Sequence, residues 1–173
     1  MNVVLIGYRG TGKSAVARLV AEATGRSVFG MDDAIARRAG CSISEFVARR
    51  GWEAFRDLES EVACEAGGRE NTVIDTGGGV VLRPENIAVL KKNGRLVWLR
   101  ASAEVIAQRI QDTTDRPSLT GAKSFLEEIG EVLLARTPLY QAAADLVVST
   151  EGRTVEEVAH EIAAAYPGPA SRD

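Results

Sequence analysis

Cysteine and histidine are almost missing from this chain of 173 residues, which has two cysteines and one histidine. Cys41 and Cys64 show no CxxC spacing and have no histidine near them, so the sequence indicates neither a zinc site nor a disulfide framework. His160 lies in the apolar and acidic pattern of the last predicted helix. General-base chemistry at neutral pH is therefore left to a carboxylate.

A strong excess of one charge and a long apolar run are missing too. Lys and Arg number 21 against 24 Asp and Glu, a net charge of -3, so no basic field attracts nucleic acid or anionic lipid. The opening apolar run, residues 3–6, is far too short for a signal sequence or a membrane-spanning helix. We expect a cytoplasmic protein without nucleic-acid or membrane partners.

Strand-like and helix-like segments alternate along the chain. The apolar segments "NVVLIG", "TVIDT", "RLVWLR" and "ADLVVS" are typical of buried strands, and helical periodicity follows them. This alternation predicts a three-layer α/β fold, in which ligands bind at the carboxyl ends of parallel strands. The helical stretch 42–68 is predicted to break near Gly51. We expect one domain over residues 1–173, with a frayed tail at 167–173.

The stretch "GYRGTGKS", residues 7–14, matches the phosphate-binding pattern G-x-x-x-x-G-K-[ST] and lies between a strand and a helix. Its glycines let backbone N–H groups turn toward phosphate oxygens, and the helix N-terminus adds partial positive charge. Lys13 is expected to reach the β- and γ-phosphates of a nucleotide, and the Ser14 hydroxyl to bind Mg²⁺. The ATP-binding residues predicted in this loop are Gly10, Thr11, Gly12, Lys13, Ser14 and Ala15.

A phosphate loop leaves three classes of protein open: a guanine-nucleotide switch, an ATPase module and a kinase for a small acceptor. A glycine-rich turn that binds no nucleotide is the plainer alternative. The Asn-Lys-x-Asp loop of guanine switches has no match, "KKNG" being the nearest string, but "DTGG" mimics their D-x-x-G. A nucleotide-binding switch without an acceptor therefore remains an alternative from a different class.

Three arginines have a context that suggests binding. Arg56 borders the apolar stripe of "WEAFRDLES", where a surface ion pair one helical turn away is the plainer interpretation. Arg116 lies in a polar stretch at about residues 112–122, which predicts a lid that brings a cation to a transferring phosphoryl group. Arg136 comes shortly before Pro138, which is predicted to end its helix, so a helix-terminus role is an alternative.

Three consecutive glycines, Gly77 to Gly79, follow the strand "VID". A tight turn is one explanation, and the close approach of a ligand to the backbone is the other. Asp75 ends that strand, where a phosphate-loop protein commonly has a carboxylate that faces the magnesium shell.

Together these motifs resemble those of shikimate kinases. "GYRGTGKS", "MDDAI", "WEAFRD", "TGGG", "DRPSL" and "LLARTPLY" occur in the order and near the spacings of that family, over residues 2–166. The resemblance implies a fold like that of nucleoside monophosphate kinases, with a five-stranded parallel sheet, a lid and a substrate-binding helical region at about residues 32–66. It also implies transfer of the γ-phosphoryl of ATP, with Mg²⁺, to the 3-hydroxyl of shikimate in aromatic amino-acid synthesis.

The resemblance assigns an acceptor site to this chain. Asp32 would meet the ring hydroxyls of shikimate and stand next to the attacking oxygen, while Arg56 and Arg136 would hold its carboxylate in charge-assisted pairs. The substrate-binding residues are then Asp32, Arg56, Gly77, Gly78, Gly79 and Arg136. A kinase for another small hydroxylated acceptor is the enzyme alternative. No heptad or interface stripe in the sequence argues against a monomer.

On the nucleotide side, the resemblance makes Arg116 close over the phosphates and places Arg109 near the adenine. Arg153 falls in the other adenine-side loop. The catalytic residues implied are Asp32, Lys13 and Arg116.

The chain departs from the family at Gly30. Family members commonly have D-x-D, whose first Asp reaches the magnesium shell through water and whose second binds the substrate. Asp32 aligns with the second and Gly30 with the first, and Asp33 is expected to be a solvated residue of the first helical turn. We expect Asp75, where relatives often carry Ser or Ala, to supply the missing carboxylate beside Ser14. The alternative is that water fills the gap.

Overall fold

The computed structural model describes residues 1–111 and 125–168, which form five strands and seven helices. The strands are β1 (Asn2–Ile6), β2 (Ser27–Gly30), β3 (Thr72–Asp75), β4 (Gly94–Arg100) and β5 (Leu146–Ser149). The helices are α1 (Lys13–Thr24), α2 (Met31–Ala39), α3 (Ile43–Gly67), α4 (Pro84–Lys91), α5 (Ala103–Gln111), α6 (Phe125–Ala143) and α7 (Val155–Ala165). A short 3₁₀ helix, Val80–Leu82, joins β3 to α4.

The strands form one parallel sheet in the order β2-β3-β1-β4-β5. All five residues of β1 are buried because this central strand has neighbours on both edges and helices on both faces. Its side chains alternate between two cores: Val4 and Ile6 pack with α2, α3, α4 and α6, whereas Val3 and Leu5 pack with α1 and α7. The predicted three-layer α/β fold with a five-stranded parallel sheet is confirmed.

Helix α3 is broken at Gly51, as the sequence predicts. This glycine has φ 82° and ψ 170°, a conformation that L-residues with side chains rarely adopt. The helix begins with a capping box, in which Ser42 and Glu45 each accept a hydrogen bond from the other's backbone N–H. The break lets the two halves of α3 point in different directions, so that the second half can lie over the end of β3.

Pro138 does not end its helix, and that prediction from the sequence is wrong. Helix α6 continues to Ala143, with Pro138 inside it. Proline removes one donor, which would have bonded the Leu134 carbonyl, but Leu134 is 79% exposed and water can bond that oxygen instead. Tyr140, about one helical turn after Arg136, is fully buried and anchors the rest of the helix. Arg136 thus lies within a helix, and the helix-terminus explanation does not apply to it.

The end of the described chain is tied to the loop between α1 and β2. The Arg26 guanidinium donates hydrogen bonds to the carbonyls of Tyr166 and Pro167, at 2.9 and 3.0 Å. Residues 169–173, most of the predicted tail, lie outside the described residues. Across the ranges 1–111 and 125–168, no helix combines the length and the apolar character needed to cross a membrane.

Candidate active site

The phosphate loop connects the carboxyl end of β1 to α1, where the sequence places it. Gly7, Gly10 and Gly12 have φ values of 144°, 79° and 88°, which favour glycine. A Cβ at Gly7 would lie 2.5 Å from the Leu99 carbonyl oxygen, and one at Gly10 would lie 2.9 Å from the Ile110 side chain. Both the backbone conformation and the close packing therefore require glycine in this loop.

The Lys13 ammonium is held by the loop itself. It donates hydrogen bonds to the carbonyl oxygens of Gly7 and Tyr8, at 2.9 and 3.0 Å. The Thr11 hydroxyl donates to the same Tyr8 carbonyl at 2.8 Å. These bonds fix the curvature of the loop and keep its buried cation within it.

Ser14 and Asp75 meet beside this loop. The Ser14 hydroxyl donates a 2.6 Å hydrogen bond to Oδ2 of Asp75, the last residue of β3. Burial raises the pKa of the Asp75 carboxyl, against the opposing effects of the Ser14 bond and the Lys13 charge. A carboxylate and a hydroxyl thus stand together at the carboxyl ends of β1 and β3.

Gly30 is the register partner of Asp75 in the adjacent strand β2. A Cβ at Gly30 would lie 3.2 Å from Oδ2 of Asp33. Asp33 is exposed, as predicted for a residue of the first helical turn, but its carboxylate folds back over Gly30. The space that a residue-30 side chain would enter is therefore bordered by an acidic group.

Asp32 lies over the triglycine loop, Gly77 to Gly79. A Cβ at Gly77 would lie 2.9 Å from Oδ1 of Asp32 and 3.1 Å from Oε1 of Glu59. Two carboxylates therefore approach the backbone of Gly77 closely, and a side chain there would displace them. The sequence predicts Asp32 and the glycines at this site, but it does not single out Glu59.

Arg56 and Glu59 form a buried ion pair on α3. The Arg56 guanidinium donates a 2.6 Å hydrogen bond to Oε2 of Glu59, and the two side chains are 14% and 1% exposed. Burial raises the pKa of Glu59, although the charge and hydrogen bond of Arg56 oppose that shift. A Cβ at Gly79 would overlap the Arg56 guanidinium. Arg56 thus has the intrahelical partner that the plainer interpretation expects, and it also lies against the triglycine loop.

Arg136 reaches the same loop from α6. Its guanidinium donates a 3.0 Å hydrogen bond to the Gly78 carbonyl, which also accepts one from the Tyr140 hydroxyl. Burial raises the pKa of Tyr140 to about 12, so the phenol stays protonated and remains a donor. Tyr140 stacks on Trp98 with ring centroids 5.7 Å apart, which fixes this end of α6 on the sheet.

Arg109 and Arg153 border the other side of the phosphate loop. Arg109 donates to the Thr150 hydroxyl and carbonyl, at 3.0 and 2.9 Å, and more weakly to the Gly10 carbonyl at 3.4 Å. Arg153 pairs with Glu161 at 2.6 Å, beside the start of α7. Arg109 therefore links α5, the phosphate loop and the loop after β5. Arg116 and the whole of the predicted lid, residues 112–122, lie outside the described residues.

Glu59 and Tyr140 are the residues of this arrangement that sequence reasoning missed as site residues. Glu59 has a local signal, since it follows Arg56 by three residues and so shares its helix face. Tyr140 belongs to the string "RTPLY" but carries no pattern that predicts its hydrogen bond to Gly78. Only the packing of α6 against the triglycine loop brings that pair together.

A phosphate loop that faces an arginine-lined acceptor site, on a parallel α/β sheet, defines a phosphate-loop kinase of small molecules. The comparisons with known proteins narrow this class. A family model described as shikimate kinase matches residues 9–167. The chain belongs to the shikimate kinase family, and the resemblance stated from its motifs is confirmed.

Individual relatives agree with this membership. The chain is 45% identical over 165 residues to a shikimate kinase of Thermodesulfovibrio yellowstonii, covering 95% of this chain and 94% of the relative. It is 46% identical over 150 residues to that of Nitratidesulfovibrio vulgaris, covering 85% of each. The solved shikimate kinase from Acinetobacter baumannii, in complex with shikimate, has a TM-score of 0.87 and 31% identity, covering 93% of this chain and 89% of that one.

Proposed function

We propose that this protein transfers the γ-phosphoryl group of ATP to the 3-hydroxyl of shikimate, giving shikimate 3-phosphate and ADP in chorismate and aromatic amino-acid biosynthesis. The observation that carries the proposal is the convergence of Arg56 and Arg136 on one triglycine loop, opposite Asp32. These residues come from α3, α6 and α2, and they form a site for a compact ligand that has both a carboxylate and hydroxyl groups. The family membership supports the same acceptor.

The acceptor site lies directly beside the phosphate loop. A Cβ at Gly78 would be 3.3 Å from the Arg9 amide nitrogen and 3.5 Å from the Gly7 carbonyl oxygen. A ligand on the triglycine loop is therefore next to a nucleotide on the phosphate loop, as direct phosphoryl transfer requires. Asp32 orients the acceptor hydroxyl and accepts its proton as the bond to phosphorus forms.

Cations carry the rest of the proposed mechanism. Because the phosphoryl-transfer transition state is loose, positioning and charge stabilisation contribute most of the rate acceleration. Lys13 is assigned to the β- and γ-phosphates, Arg116 to the phosphates from the lid, and Arg109 and Arg153 to the adenine side. The proposed nucleotide contacts of the loop are Gly10, Thr11, Gly12, Lys13, Ser14 and Ala15.

The side-chain oxygens of Ser14, in α1, and Asp75, at the end of β3, suit Mg²⁺. Hydroxyl and carboxylate oxygens are the ligands this ion prefers, and Ser14 and Asp75 already lie 2.6 Å apart. We assign these two residues to hold Mg²⁺ directly or through water, with Asp75 in place of the carboxylate that Gly30 lacks. Held there, Mg²⁺ would supply positive charge that stabilises the phosphates during transfer. Asp33, folded back over Gly30, is the alternative source of that carboxylate.

The experiment that tests the proposed function is ADP release from MgATP with a panel of acceptors, shikimate first. The expected result is release that depends on shikimate. Turnover with a different hydroxylated acceptor would make the protein a kinase of another substrate. Slow ADP release that no acceptor accelerates would favour a nucleotide-binding switch.

We further propose that the protein acts as a monomer in the cytoplasm, with ATP and shikimate as its partners and without nucleic-acid or membrane ligands. The nearly balanced composition, 21 basic and 24 acidic residues, supports the part of this proposal that concerns polyanions. Light scattering at micromolar concentration tests the monomer.

A further inference from the structure

Arg9, the third residue of the phosphate loop, has a buried guanidinium edge without hydrogen bonds. Its Nε and Nη2 atoms are both inaccessible to solvent, and neither has a hydrogen-bond partner within residues 1–111 and 125–168. Most buried polar groups in proteins are paired, and an unpaired buried cation is especially costly. Neither the mechanism above nor the motifs of the sequence give this arginine a role.

Aromatic rings hold the guanidinium where it lies. Its Cζ atom is 5.9 Å from the ring centroid of Tyr8 and 5.9 Å from that of Phe125, the first residue of α6. The Tyr8 hydroxyl is itself buried without a partner in the described chain. Cation–π contacts at this distance compensate only part of the lost hydration. The side chain is therefore weakly held, and little free energy opposes its rotation toward a better partner.

The two unpaired atoms form the edge of the guanidinium that binds oxyanions best. Nε–H and the Nη2–H beside it point in parallel, so one carboxylate or phosphoryl group can accept both hydrogen bonds. A water molecule or a single carbonyl oxygen can accept both bonds only as converging, less linear ones, whereas two oxygens on one atom match the parallel pair. The chemistry of the unpaired edge thus matches a ligand with two oxygens on one atom.

The position of Arg9 brings this edge close to both substrates. Its amide nitrogen lies 3.3 Å from the position of a Gly78 Cβ, at the junction between the phosphate loop and the triglycine loop. Arg136 bonds the Gly78 carbonyl from the other side. A rotated Arg9 side chain can therefore reach an anionic group bound at this junction.

We propose that Arg9 is a third oxyanion-binding arginine of the active site, in addition to Arg56 and Arg136. In the state described here its side chain rests between Tyr8 and Phe125, and in the substrate complex its Nε–Nη2 edge binds an oxyanion. The oxyanion is either the acceptor carboxylate or the phosphoryl group in transfer, which share the required chemistry. This role of Arg9 rests on the proposed function in one respect, the identity of the acceptor as shikimate.

The test uses R9M, which keeps length and apolar contact, and R9K, which keeps the charge but not the paired donors. Arg18, exposed on α1, provides the matched control R18M. Calorimetry measures the binding of shikimate, of its uncharged methyl ester, of MgADP, and of MgADP with aluminium fluoride, which mimics the phosphoryl group in transfer. We expect R9M to weaken one of these complexes by about tenfold to a hundredfold, as for hydrogen bonds to a charged group, and R9K to weaken the same one.

The pattern identifies the oxyanion. If the carboxylate is bound, R9M weakens shikimate but not its methyl ester. If the phosphoryl group is bound, R9M leaves shikimate and MgADP unchanged and weakens the fluoride complex. If R9M binds every ligand within twofold of wild type, the proposal is overturned. If R9M does not fold, the same result with R9K overturns it.

Two further measurements are the thermal unfolding of R9M and the binding of shikimate by the wild type. R9M removes two buried donors that have no partner, so we expect its melting temperature to equal or exceed that of wild type, whereas a purely structural arginine would lower it. Wild-type protein that does not bind shikimate would refute the proposed function. MgADP with aluminium fluoride binds without shikimate, so it can still test Arg9 if shikimate does not bind. An affinity of R9M for this complex equal to that of wild type would then refute the role of Arg9.

Discussion

Gly30 and Asp75 are register partners at the carboxyl ends of adjacent parallel strands, and the carboxylate is on the strand nearer the phosphate loop. Asp75 pairs with Leu5 of β1 on its other side and accepts the Ser14 hydrogen bond at 2.6 Å. Residue 30, which lacks the carboxylate common in the family, and residue 75, which has one, are thus one strand spacing apart, about 4.8 Å. This relationship is the physical basis for assigning Asp75 to the magnesium shell.

Removing the Asp75 charge should weaken Mg²⁺ binding and leave the nucleotide site otherwise intact. For D75N we expect the Mg²⁺ concentration that half-saturates the enzyme–ADP complex to rise by about tenfold to a hundredfold, a range typical of residues that support metal ligands. ADP affinity in the presence of EDTA should stay within twofold of wild type. Calorimetric titration of Mg²⁺ into the enzyme–ADP complex measures the first quantity without reference to turnover.

D33N is the matched control for D75N, because Asp33 is also acidic and folds over Gly30. We expect D33N to leave the Mg²⁺ requirement unchanged. The opposite result, a higher requirement in D33N and an unchanged one in D75N, would move the assignment to Asp33.

Replacing Asp32 by Asn should lower turnover much more than it lowers nucleotide affinity. The amide keeps the shape of the side chain beside Gly77 but cannot accept the proton of the acceptor hydroxyl. We expect kcat of D32N to fall about a hundredfold or more, in the range of general-base contributions, with the Kd of MgADP unchanged. Steady-state kinetics and calorimetry check the two quantities, and near-normal turnover would rule out this role for Asp32.

Local patterns predicted the parts of the fold that depend on a few neighbouring residues. The spacing of Gly7, Gly12 and Lys13 specifies a phosphate loop because each of these glycines adopts a positive φ that other residues rarely tolerate. Gly51 breaks α3 for the same reason. In both cases the conformational requirement is visible in the residue type itself.

Tertiary packing decided what the sequence could not predict. The Arg56–Glu59 pair looks like an exposed helical ion pair in the sequence, but it is buried because α3 packs against the triglycine loop. Pro138 looks like a helix end, but the burial of Tyr140 shortly after it keeps α6 on the sheet. The unpaired edge of Arg9 likewise follows from three-dimensional surroundings that no local spacing encodes.

A side chain at Gly79 should disturb the acceptor site through Arg56. A Cβ at this position would overlap the guanidinium, so G79A must displace Arg56 or shift the loop. We expect shikimate affinity to fall about tenfold or more, since a charge-assisted pair to the carboxylate is lost, while the Kd of MgADP changes little. Calorimetry of each ligand alone measures both effects.

G130A in α6 is the control for G79A, because nothing lies within 4 Å of a Cβ at Gly130. Alanine is the better helix former, and we expect this variant to bind shikimate normally and to gain about 0.5–1 kcal/mol in free energy of unfolding. Equal shikimate affinity in G79A and G130A would show that Arg56 does not depend on Gly79.

Glu59 should make the stability of this protein depend on pH in a defined direction. Burial raises its pKa in the folded state above the value in the unfolded chain, about 4.3. The folded state therefore binds the proton more tightly, and the stability linked to it is fully present below the unfolded pKa and lost as pH rises through the folded pKa. E59Q cannot ionise, so its free energy of unfolding relative to wild type should rise over that window and stay constant above it.

Urea unfolding from pH 4.5 to 8.5 measures this difference. E22Q, at the exposed Glu22 of α1, is the control for the loss of one negative charge. A difference between E59Q and wild type that does not vary with pH would contradict the raised pKa of the buried carboxyl.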